Sequence, residues 1–200
     1  MLLYGASGHA KVIISCLNAS GIAVSQIFDD DLTKKDLWGI PVVGVYTPNI
    51  AIDEPLIISI GNNAIREKVA ASIRHWFGVA LHPKALIDDS VKIGEGSVIL
   101  HGAVVQADTQ IGKHVIINTL SSVDHDCVIE DFVHIAPRAT LCGSISVGKG
   151  TLIGAGAVIT PNLRIGKGCL IAAGSVVTKN IPDYAVVRGN PAKVLKIITP

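Results

Sequence analysis

Aliphatic residues recur at every sixth position through the second part of the chain. From residue 81 to residue 177, each position of this series is Leu, Ile or Val, which makes 17 consecutive matches without an insertion. Neither the 3.6-residue period of an amphipathic helix nor the alternation of a half-buried strand produces such a series. A six-residue unit that turns one aliphatic side chain inward per repeat instead predicts a solenoid.

Two other positions of the repeat indicate a narrow interior and tight corners. The fourth residue after each aliphatic position is mostly small or β-branched, as at Ala103, Thr109 and Cys127. The residue directly after the aliphatic position is often Gly, as at Gly94 and Gly112, or Asp or Asn, and we expect it to take the positive φ of turns. If three units make one coil, residues three units apart stack about 4.8 Å from each other.

The outward-facing position of the repeat carries several apolar side chains. Val98, Val104, Ile116 and Val128 are examples, and the ladder of Thr residues that a scaffold or ice-binding surface would carry is missing from this position. Apolar side chains that face outward are typical of a surface covered by another subunit. We therefore expect these residues to lie in a subunit interface.

Before residue 81 the six-residue period is absent, and predicted strands alternate with predicted helices. The strands cover residues 2–4, 27–28 and 56–60, and the helices cover residues 9–18 and 64–75. Such βα units predict a small α/β sheet of Rossmann type. We therefore divide the chain into a Rossmann-like domain, residues 1–80, and a solenoid domain with a C-terminal tail, residues 81–200.

Composition and charge remove several classes of function. The 17 basic and 16 acidic residues give a net charge of +1, and no basic run or aromatic platform follows a phosphate backbone, so nucleic acid is not an expected partner. No uninterrupted apolar stretch has the length of a membrane span and the N-terminus lacks a signal-peptide pattern, so we expect a cytoplasmic protein without membrane contact. Four scattered cysteines do not form a disulfide scaffold.

The Rossmann-like part contains one candidate ligand site. A glycine turn, Gly5–Gly8, follows the first strand, and an acidic pair, Asp29 and Asp30, follows the second strand. In such sheets the turn and the helix N-terminus face phosphate, and an acid about 20 residues further on faces ribose or base. The turn is not a full G-x-G-x-x-G motif, so an ordinary strand-to-helix connection and a solvated acidic loop explain these residues equally well.

Several motifs taken together resemble one known family. They are Tyr4–His9, Phe28–Asp30, Ile60–Asn63, the six-residue repeats and Asp124–Cys127. With these motifs the chain resembles the bacterial sugar acyltransferases of the sialic acid O-acetyltransferase type, and within them the branch of the UDP-N-acetylbacillosamine N-acetyltransferases, which acetylate the 4-amino group of nucleotide-linked sugars. The resemblance implies a left-handed parallel β-helix in a homotrimer with active sites between subunits, acetyl-CoA as cosubstrate and no metal.

The resemblance places the chemistry at His125. An amine that attacks a thioester must lose a proton, and imidazole is a base suited to neutral pH. Asp126 would orient the ring and stabilise its protonated form, although the family frequently has Glu at this position. Gly143 follows His125 by three repeat units, so the stacking argument puts it one coil away, where it leaves room for the thioester.

The resemblance also implies the ligand contacts. For acetyl-CoA it implies His134, Gly143, Ala155 and Ala173, of which the last two are again separated by three repeat units. For the nucleotide sugar it implies Ser7, Gly8 and His9 at the phosphates, Asp29 and Asp30 at the base or ribose, and Gly61 beside the base. Asn118 stands in the coil preceding His125, within possible reach of the sugar, and is left unassigned, because Asn at such a turn position is more often structural.

The predicted function is therefore acetyl transfer from acetyl-CoA to the 4-amino group of a nucleotide-linked amino-dideoxy sugar. The main alternative is O-acetylation of sialic acid or another sugar. A covalent route through Cys127 or Cys142 is a second mechanism, disfavoured for Cys127 because the repeat turns it inward. Zinc hydration, as in β-helical carbonic anhydrases, is disfavoured because His101, His114, His125 and His134 are not separated by whole coils.

Overall fold

The N-terminal part of the chain is a three-stranded parallel sheet with two helices. The computed structural model describes residues 1–198, so residues 199 and 200 of the predicted second domain lie outside the described residues. The sheet has the strand order β2–β1–β5, and β3 and β4 form a separate antiparallel pair. The elements are β1 (Leu2–Tyr4), α1 (Gly8–Ala19), β2 (Gln26–Phe28), β3 (Asp36–Leu37), β4 (Ile40–Pro41), β5 (Leu56–Ile58) and α2 (Asn63–Ala70).

The second helix, α2, is shorter than the sequence predicts. It ends at Ala70, so the prediction that it continues to His75 is wrong. The physical reason is the burial of the His75 ring, whose Nδ1 lies 2.8 Å from the hydroxyl of Tyr46 and whose Nε2 lies 3.0 Å from the carbonyl oxygen of Ile50. A buried polar ring needs these partners, and the chain turns after α2 to reach them.

The repeats form a parallel β-helix of two-residue strands, so the predicted fold class is confirmed. The strands are β6 (Ala80–Leu81), β7 (Leu86–Ile87), β8 (Lys92–Ile93), β9 (Val98–Ile99), β10 (Val104–Val105), β11 (Gln110–Ile111), β12 (Ile116–Ile117), β13 (Ser122–Val123), β14 (Val128–Ile129), β15 (His134–Ile135), β16 (Thr140–Leu141), β17 (Ser146–Val147), β18 (Leu152–Ile153), β19 (Val158–Ile159), β20 (Arg164–Ile165), β21 (Leu170–Ile171) and β22 (Val176–Val177). Paired residues come from successive coils, three repeat units apart, as in the pair of Val104 with Ser122. Two longer strands, β23 (Ala185–Gly189) and β24 (Ala192–Ile197), close the last coil.

The three stacks of strands give the β-helix three faces and three corners. The first face holds β6, β9, β12, β15, β18 and β21, the second begins with β7, and the third begins with β8. We call the turns from the first to the second face the first corner, those from the second to the third face the second corner, and those that return to the first face the third corner. Each corner is a column of turns, to which every coil contributes one.

The interior of the β-helix is aliphatic, with hydroxyl groups that bond to the backbone. Ile117, Ile135 and Ile153 are fully buried, whereas Leu81 in the first coil stays 37% exposed because no coil lies below it. Thr109 is also fully buried, and its hydroxyl donates to the carbonyl oxygen of Asp124 at 2.8 Å. Polar groups are therefore tolerated in this narrow core because the neighbouring turn satisfies them.

The glycines that directly follow the aliphatic positions correct one prediction. Gly94, Gly112, Gly148, Gly154 and Gly166 do not have positive φ; the left-handed residues stand two positions later, for example Gly96 (φ +72°) and Asp126 (φ +56°). These glycines are required by the close approach of the next coil instead. A Cβ on Gly154 would lie 2.6 Å from the backbone nitrogen of Ala173, a separation too short for a Cβ atom to adopt.

The helix α1 packs on the first face of the β-helix. Its residues Ile13 and Leu17 share one buried cluster with Val98 and Ile116, which are each only 2% exposed. The prediction that Val98 and Ile116 lie in a subunit interface is therefore wrong, because the N-terminal part of the same chain covers them. Val128, on the third face, is 43% exposed. Within residues 1–198, no helix is long and apolar enough to cross a membrane.

Candidate active site

The second corner carries an exposed pair of His125 and Asp126. Nδ1 of His125 lies 2.7 Å from Oδ2 of Asp126, and the two side chains are 56% and 59% exposed. Because a carboxylate only accepts, Nδ1 donates to it, and Nε2 is left as the acceptor of the neutral ring. The hydrogen bond to Asp126 is the main cause that raises the pKa of His125 above its ordinary value, and the charge of Asp124 also raises it.

Gly143 lies against the free nitrogen of this imidazole. A Cβ on Gly143 would stand 2.5 Å from Nε2 of His125, and the amide of Ser144 donates to the carbonyl oxygen of His125 at 2.9 Å. The predicted stacking of successive coils is therefore present between Gly143 and His125. Only a residue without a side chain leaves Nε2 open to an incoming group.

Ala155 and Ala173 lie on the first corner, not beside His125. Both are exposed, and the amide of Gly174 donates to the carbonyl oxygen of Ala155 at 2.9 Å, which stacks the two turns directly. Their methyl groups leave a shallow strip along this corner. Within one chain the whole second face separates this strip from His125 and Gly143.

The turn after β1 presents the start of α1. Ser7 is the N-cap residue, is exposed and makes no side-chain cap hydrogen bond. A Cβ on Gly8 would have no atom within 4 Å, and Gly8 has no positive φ, so packing does not explain the glycine. The free amides of a helix N-terminus attract anions, and a glycine there permits close approach.

The two predicted acids differ in their freedom to bind a ligand. Asp29 is buried, and its carboxylate accepts from the amides of Ala6 (2.6 Å) and Asp31 (2.9 Å) and from Nζ of Lys34 (2.9 Å). Burial opposes the charge of this carboxylate, but these hydrogen bonds lower its pKa overall. Asp29 therefore shapes the glycine turn. Asp30 is exposed, and among residues 1–198 its carboxylate accepts only from the Tyr4 hydroxyl, at 2.7 Å.

His9, Gly61 and His134 meet at the junction between the two parts of the chain. The rings of His9 and His134 are 6.3 Å apart, and Nδ1 of His134 lies 3.3 Å from the carbonyl oxygen of Gly61. Nε2 of His134 lies 3.0 Å from the side-chain amide of Asn118, whereas Nε2 of His9 is buried without a partner in the described residues. His134 thus lies with the residues predicted to bind the nucleotide sugar.

A buried arginine, Arg66 of α2, holds this junction together, and the sequence analysis missed it. Its side chain donates to the carbonyl oxygens of His114 (2.9 Å) and Phe132 (3.0 Å) in the β-helix, and of Ile60 (3.0 Å) and Gly61 (3.2 Å) in the sheet domain. Among residues 1–198 no carboxylate lies within ion-pair distance of it. An Arg in an amphipathic helix is normally predicted to be exposed, so no signal in the sequence distinguishes Arg66 from a surface arginine.

Burial and the charge of Arg66 keep the imidazoles of the junction neutral. The pKa of both His9 and His134 is lowered to about 4, mainly by desolvation and in second place by the charge of Arg66. Within the described residues, no group of three or more His, Cys, Asp and Glu side chains is arranged to hold a metal ion. The imidazoles of the junction are therefore held neutral and suited to hydrogen bonding, whereas the pKa of His125 at the second corner is raised.

Two family models and one relative are similar to this chain. Residues 1–73 match the family model of the PglD N-terminal domain, and residues 144–179 match the bacterial transferase hexapeptide model of six repeats. GDP-perosamine N-acetyltransferase of Escherichia coli O157:H7 is 34% identical, over 97% of this chain and 95% of the relative.

Two solved structures extend over nearly the whole chain. PerB of Caulobacter crescentus, in complex with CoA and GDP-perosamine, is 36% identical with a TM-score of 0.91, covering 98% of this chain and 96% of PerB. The acetyltransferase domain of PglB from Neisseria gonorrhoeae FA1090, in complex with acetyl coenzyme A, is 37% identical with a TM-score of 0.88, covering 97% and 98%. The family resemblance inferred from the motifs is thus confirmed: this chain belongs to the hexapeptide-repeat sugar acyltransferases that carry a PglD-type N-terminal domain.

Proposed function

We propose that this chain transfers an acetyl group from acetyl-CoA to the 4-amino group of a nucleotide-linked amino-dideoxy sugar. The observation that carries the proposal is the His125–Asp126 pair, whose free Nε2 lies beside Gly143. The names of the relatives support the class of reaction, since the relative from Escherichia coli is a GDP-perosamine N-acetyltransferase and PerB was solved with CoA and GDP-perosamine.

In the proposed reaction the amine nitrogen of the sugar attacks the thioester carbonyl carbon of acetyl-CoA. A C–N bond forms, the proton on nitrogen passes to Nε2 of His125, and the C–S bond breaks to release CoA as the thiolate, which takes up that proton. Asp126 stabilises the imidazolium that forms. Gly143 leaves the space in which the tetrahedral oxyanion develops, and its backbone N–H is a suitable donor to it.

The acceptor nucleotide is proposed to bind to the N-terminal domain. Its phosphates would meet the start of α1 at Ser7 and Gly8, where free amides and an unobstructed glycine favour an anion. His9 brings to the same place a buried Nε2 that has no partner within the described part of the chain. Asp30 and the backbone of Gly61 would contact the ribose or base, and Asp29 would act indirectly by fixing the turn.

The acetyl-CoA site is proposed to lie between copies of the chain. Ala155 and Ala173 line the first corner, whereas His125 and Gly143 line the second, so the two sets come together only if the second corner of one copy faces the first corner of another. A cyclic trimer achieves this three times. Leu86 (68% exposed) and Leu120 (51% exposed) lie on the flank that such a contact would bury. His134 would face both the donor and the acceptor.

The test measures release of free thiol from acetyl-CoA with UDP-, GDP- and dTDP-linked 4-amino sugars and with free sialic acid. We expect turnover with one nucleotide sugar and loss of about 10³-fold in His125→Ala. The matched control is Asp89→Ala, an exposed position on the same corner two coils below His125, which should keep full activity. Turnover only with sialic acid would change the proposed reaction to O-acetylation. Undiminished activity in His125→Ala would show that His125 is not the general base.

A further inference from the structure

The turn Asp124–Cys127 connects β13 to β14 and carries the proposed base. The side chains of His125 and Asp126 are largely exposed, so packing against other side chains does not hold them in place. Their positions depend on the backbone of the turn. A misplacement of about 1 Å can cost an enzyme about 100-fold in rate. The groups that fix this turn therefore affect the proposed reaction.

The middle of the turn is bonded within itself and to the coil above. The His125 amide donates to Oδ1 of Asp124 at 2.9 Å, and the His125 carbonyl oxygen accepts from the Ser144 amide at 2.9 Å. Two backbone groups at the ends of the turn remain, the carbonyl of Asp124 and the amide of Cys127. Backbone groups that face the interior of a protein need partners.

One buried side chain supplies both of these partners. Thr109, one coil below, donates its hydroxyl to the carbonyl oxygen of Asp124 at 2.8 Å and accepts from the amide of Cys127 at 3.2 Å. The Thr109 side chain is fully buried. A single hydroxyl thus bridges the two ends of the turn and fixes the distance between them.

This hydroxyl is not a general feature of the second corner. The inward position that Thr109 occupies is taken in the other coils by Val91, Cys127, Ile145, Leu163 and Ile181. Of these side chains only the thiol of Cys127 can hydrogen-bond, and it bridges the next turn, from the carbonyl oxygen of Cys142 (3.3 Å) to the amide of Ile145 (3.5 Å). The two turns bridged in this way carry His125 and Gly143. A thiol is a weak hydrogen-bonding group and Gly143 has no side chain to position, so Thr109 forms the stronger bridge.

The same arrangement also occurs at the third corner, away from this turn. Thr151 is fully buried, and its hydroxyl donates to the carbonyl oxygen of Gly166 at 2.7 Å and accepts from the amide of Cys169 at 2.9 Å. The turn that Thr151 bridges carries no residue of the site described above. Thr151 therefore offers a control with the same chemical group in the same surroundings.

We propose that Thr109 is a positioning residue for the reaction, whose hydroxyl holds the turn Asp124–Cys127 so that Nε2 of His125 stays beside Gly143. The proposal rests on the proposed function, because it takes His125 to be the base. Without the bridge the turn relaxes, the imidazole leaves the space beside Gly143, and its hydrogen bond to Asp126 weakens.

The experiment compares Thr109→Val with Thr151→Val, which removes the same hydroxyl from the same kind of bridge. Both variants should lower the melting temperature by about 5 °C, since each leaves two interior backbone groups without a partner. Only Thr109→Val should lower kcat for the nucleotide sugar, by about tenfold, with the KM for acetyl-CoA unchanged. Thr109→Ser, which keeps the hydroxyl and loses the methyl group, should keep kcat within about twofold.

A second measurement does not depend on turnover. The imidazole of His125 is titrated by NMR in protein with isotope-labelled histidine, and His125→Ala assigns its signal. The hydrogen bond to Asp126 is the largest cause that raises the pKa of His125, and the charge of Asp124 adds to it. Thr109→Val should therefore move the titration to lower pH, whereas Thr151→Val and Thr109→Ser should leave it in place.

Equal losses of kcat in Thr109→Val and Thr151→Val would overturn the proposal, because Thr109 would then contribute only to stability. An unchanged pKa of His125 in Thr109→Val would also overturn it. An unaltered protein that acetylates no sugar would reject the proposed function, while a lowered pKa of His125 in Thr109→Val would still support the positioning role. If Thr109→Val does not fold, Thr109→Cys replaces it, since a thiol makes weaker hydrogen bonds, and the same shift of the pKa decides.

Discussion

The second corner and the domain junction each contain a histidine, but their surroundings shift the pKa of the imidazole in opposite directions. At the corner His125 is 56% exposed, bonds to a carboxylate and has a raised pKa. At the junction, further along the chain, His134 is largely buried beside Arg66 and His9, and its pKa is lowered to about 4. One ring takes up a proton readily near neutral pH, and the other does not.

The difference separates two tasks that an acyl transfer needs. A general base must be reachable and must be stabilised when it becomes charged, and in the proposed reaction Asp126 gives this stabilisation to His125. A binding imidazole must keep one donor and one acceptor, and a buried cation nearby enforces that by disfavouring a second charge. Each of the following variants alters one of these two regions. We expect a change at the junction to affect stability and a change at the second corner to affect catalysis.

The largest effect is expected from removal of the buried cation. Arg66→Leu leaves the carbonyl oxygens of His114, Phe132 and Ile60 without their donor, and should lower the free energy of unfolding by about 3 kcal/mol. Urea unfolding at a fixed protein concentration measures this loss. Arg74→Leu, the same change at an exposed site, is the control and should cost less than about 0.5 kcal/mol. Equal midpoints for both variants would show that Arg66 does not organise the junction.

The next effect is expected at the second corner. Gly143→Val puts a branched side chain where even a Cβ would lie 2.5 Å from Nε2 of His125, so kcat should fall by at least about 100-fold, or about 2.7 kcal/mol. The melting temperature should change little, since the corner is exposed. Asp89→Val alters the same corner position two coils below His125 and should keep full activity. A Gly143→Val enzyme with normal kcat would contradict the placement of the reacting carbonyl.

A smaller effect is expected from the partner of His125. Asp126→Asn removes the charge that stabilises the imidazolium, so kcat/KM at neutral pH should fall about tenfold. The pKa of His125 is raised in the folded protein, so activity is lost as pH falls through a value above 6.5. In the variant this acid limb should move to lower pH. Asp126→Glu, which restores the carboxylate, should return the acid limb of the pH profile toward its original position. An acid limb that does not move in either variant would show that Asp126 does not affect the pKa of His125.

The fold was largely predictable because each repeat makes the same local demand. One aliphatic residue per six predicts the strands, and the coil of three repeat units predicts that Gly143 lies beside His125, as it does in the structure. The positive φ predicted for Gly154 is wrong, because close approach between coils requires glycine just as a left-handed turn does, and the sequence does not distinguish the two. Periodicity therefore predicts which residues stack in successive coils, but it does not predict why a given turn position requires glycine.

The domain junction was not predictable, since its contacts join residues with no shared period. The sequence predicts a subunit contact for Ile116, because it shows only that this residue faces outward and not that α1 covers it. Arg66 and Asn118 gained their roles from carbonyl and imidazole partners 48 and 16 residues away. The sequence predicts that Asp29 contacts the ligand, whereas in the structure its carboxylate already accepts a hydrogen bond from the amide of Ala6. Such pairings depend on how two domains dock, which short-range patterns do not encode.

The smallest effect, no change at all, is expected when the cysteines near the second corner are replaced. Cys127 is fully buried, burial is the main cause that raises its pKa, and its thiol donates to the carbonyl oxygen of Cys142 at 3.3 Å. A protonated thiol inside the core is a poor nucleophile. Cys142→Ala and Cys127→Ala should each keep kcat within about twofold, and single-turnover mixing with acetyl-CoA alone should release no burst of thiol. A burst that disappears in Cys142→Ala would replace direct attack by an acyl-enzyme and would assign His125 to activating that thiol.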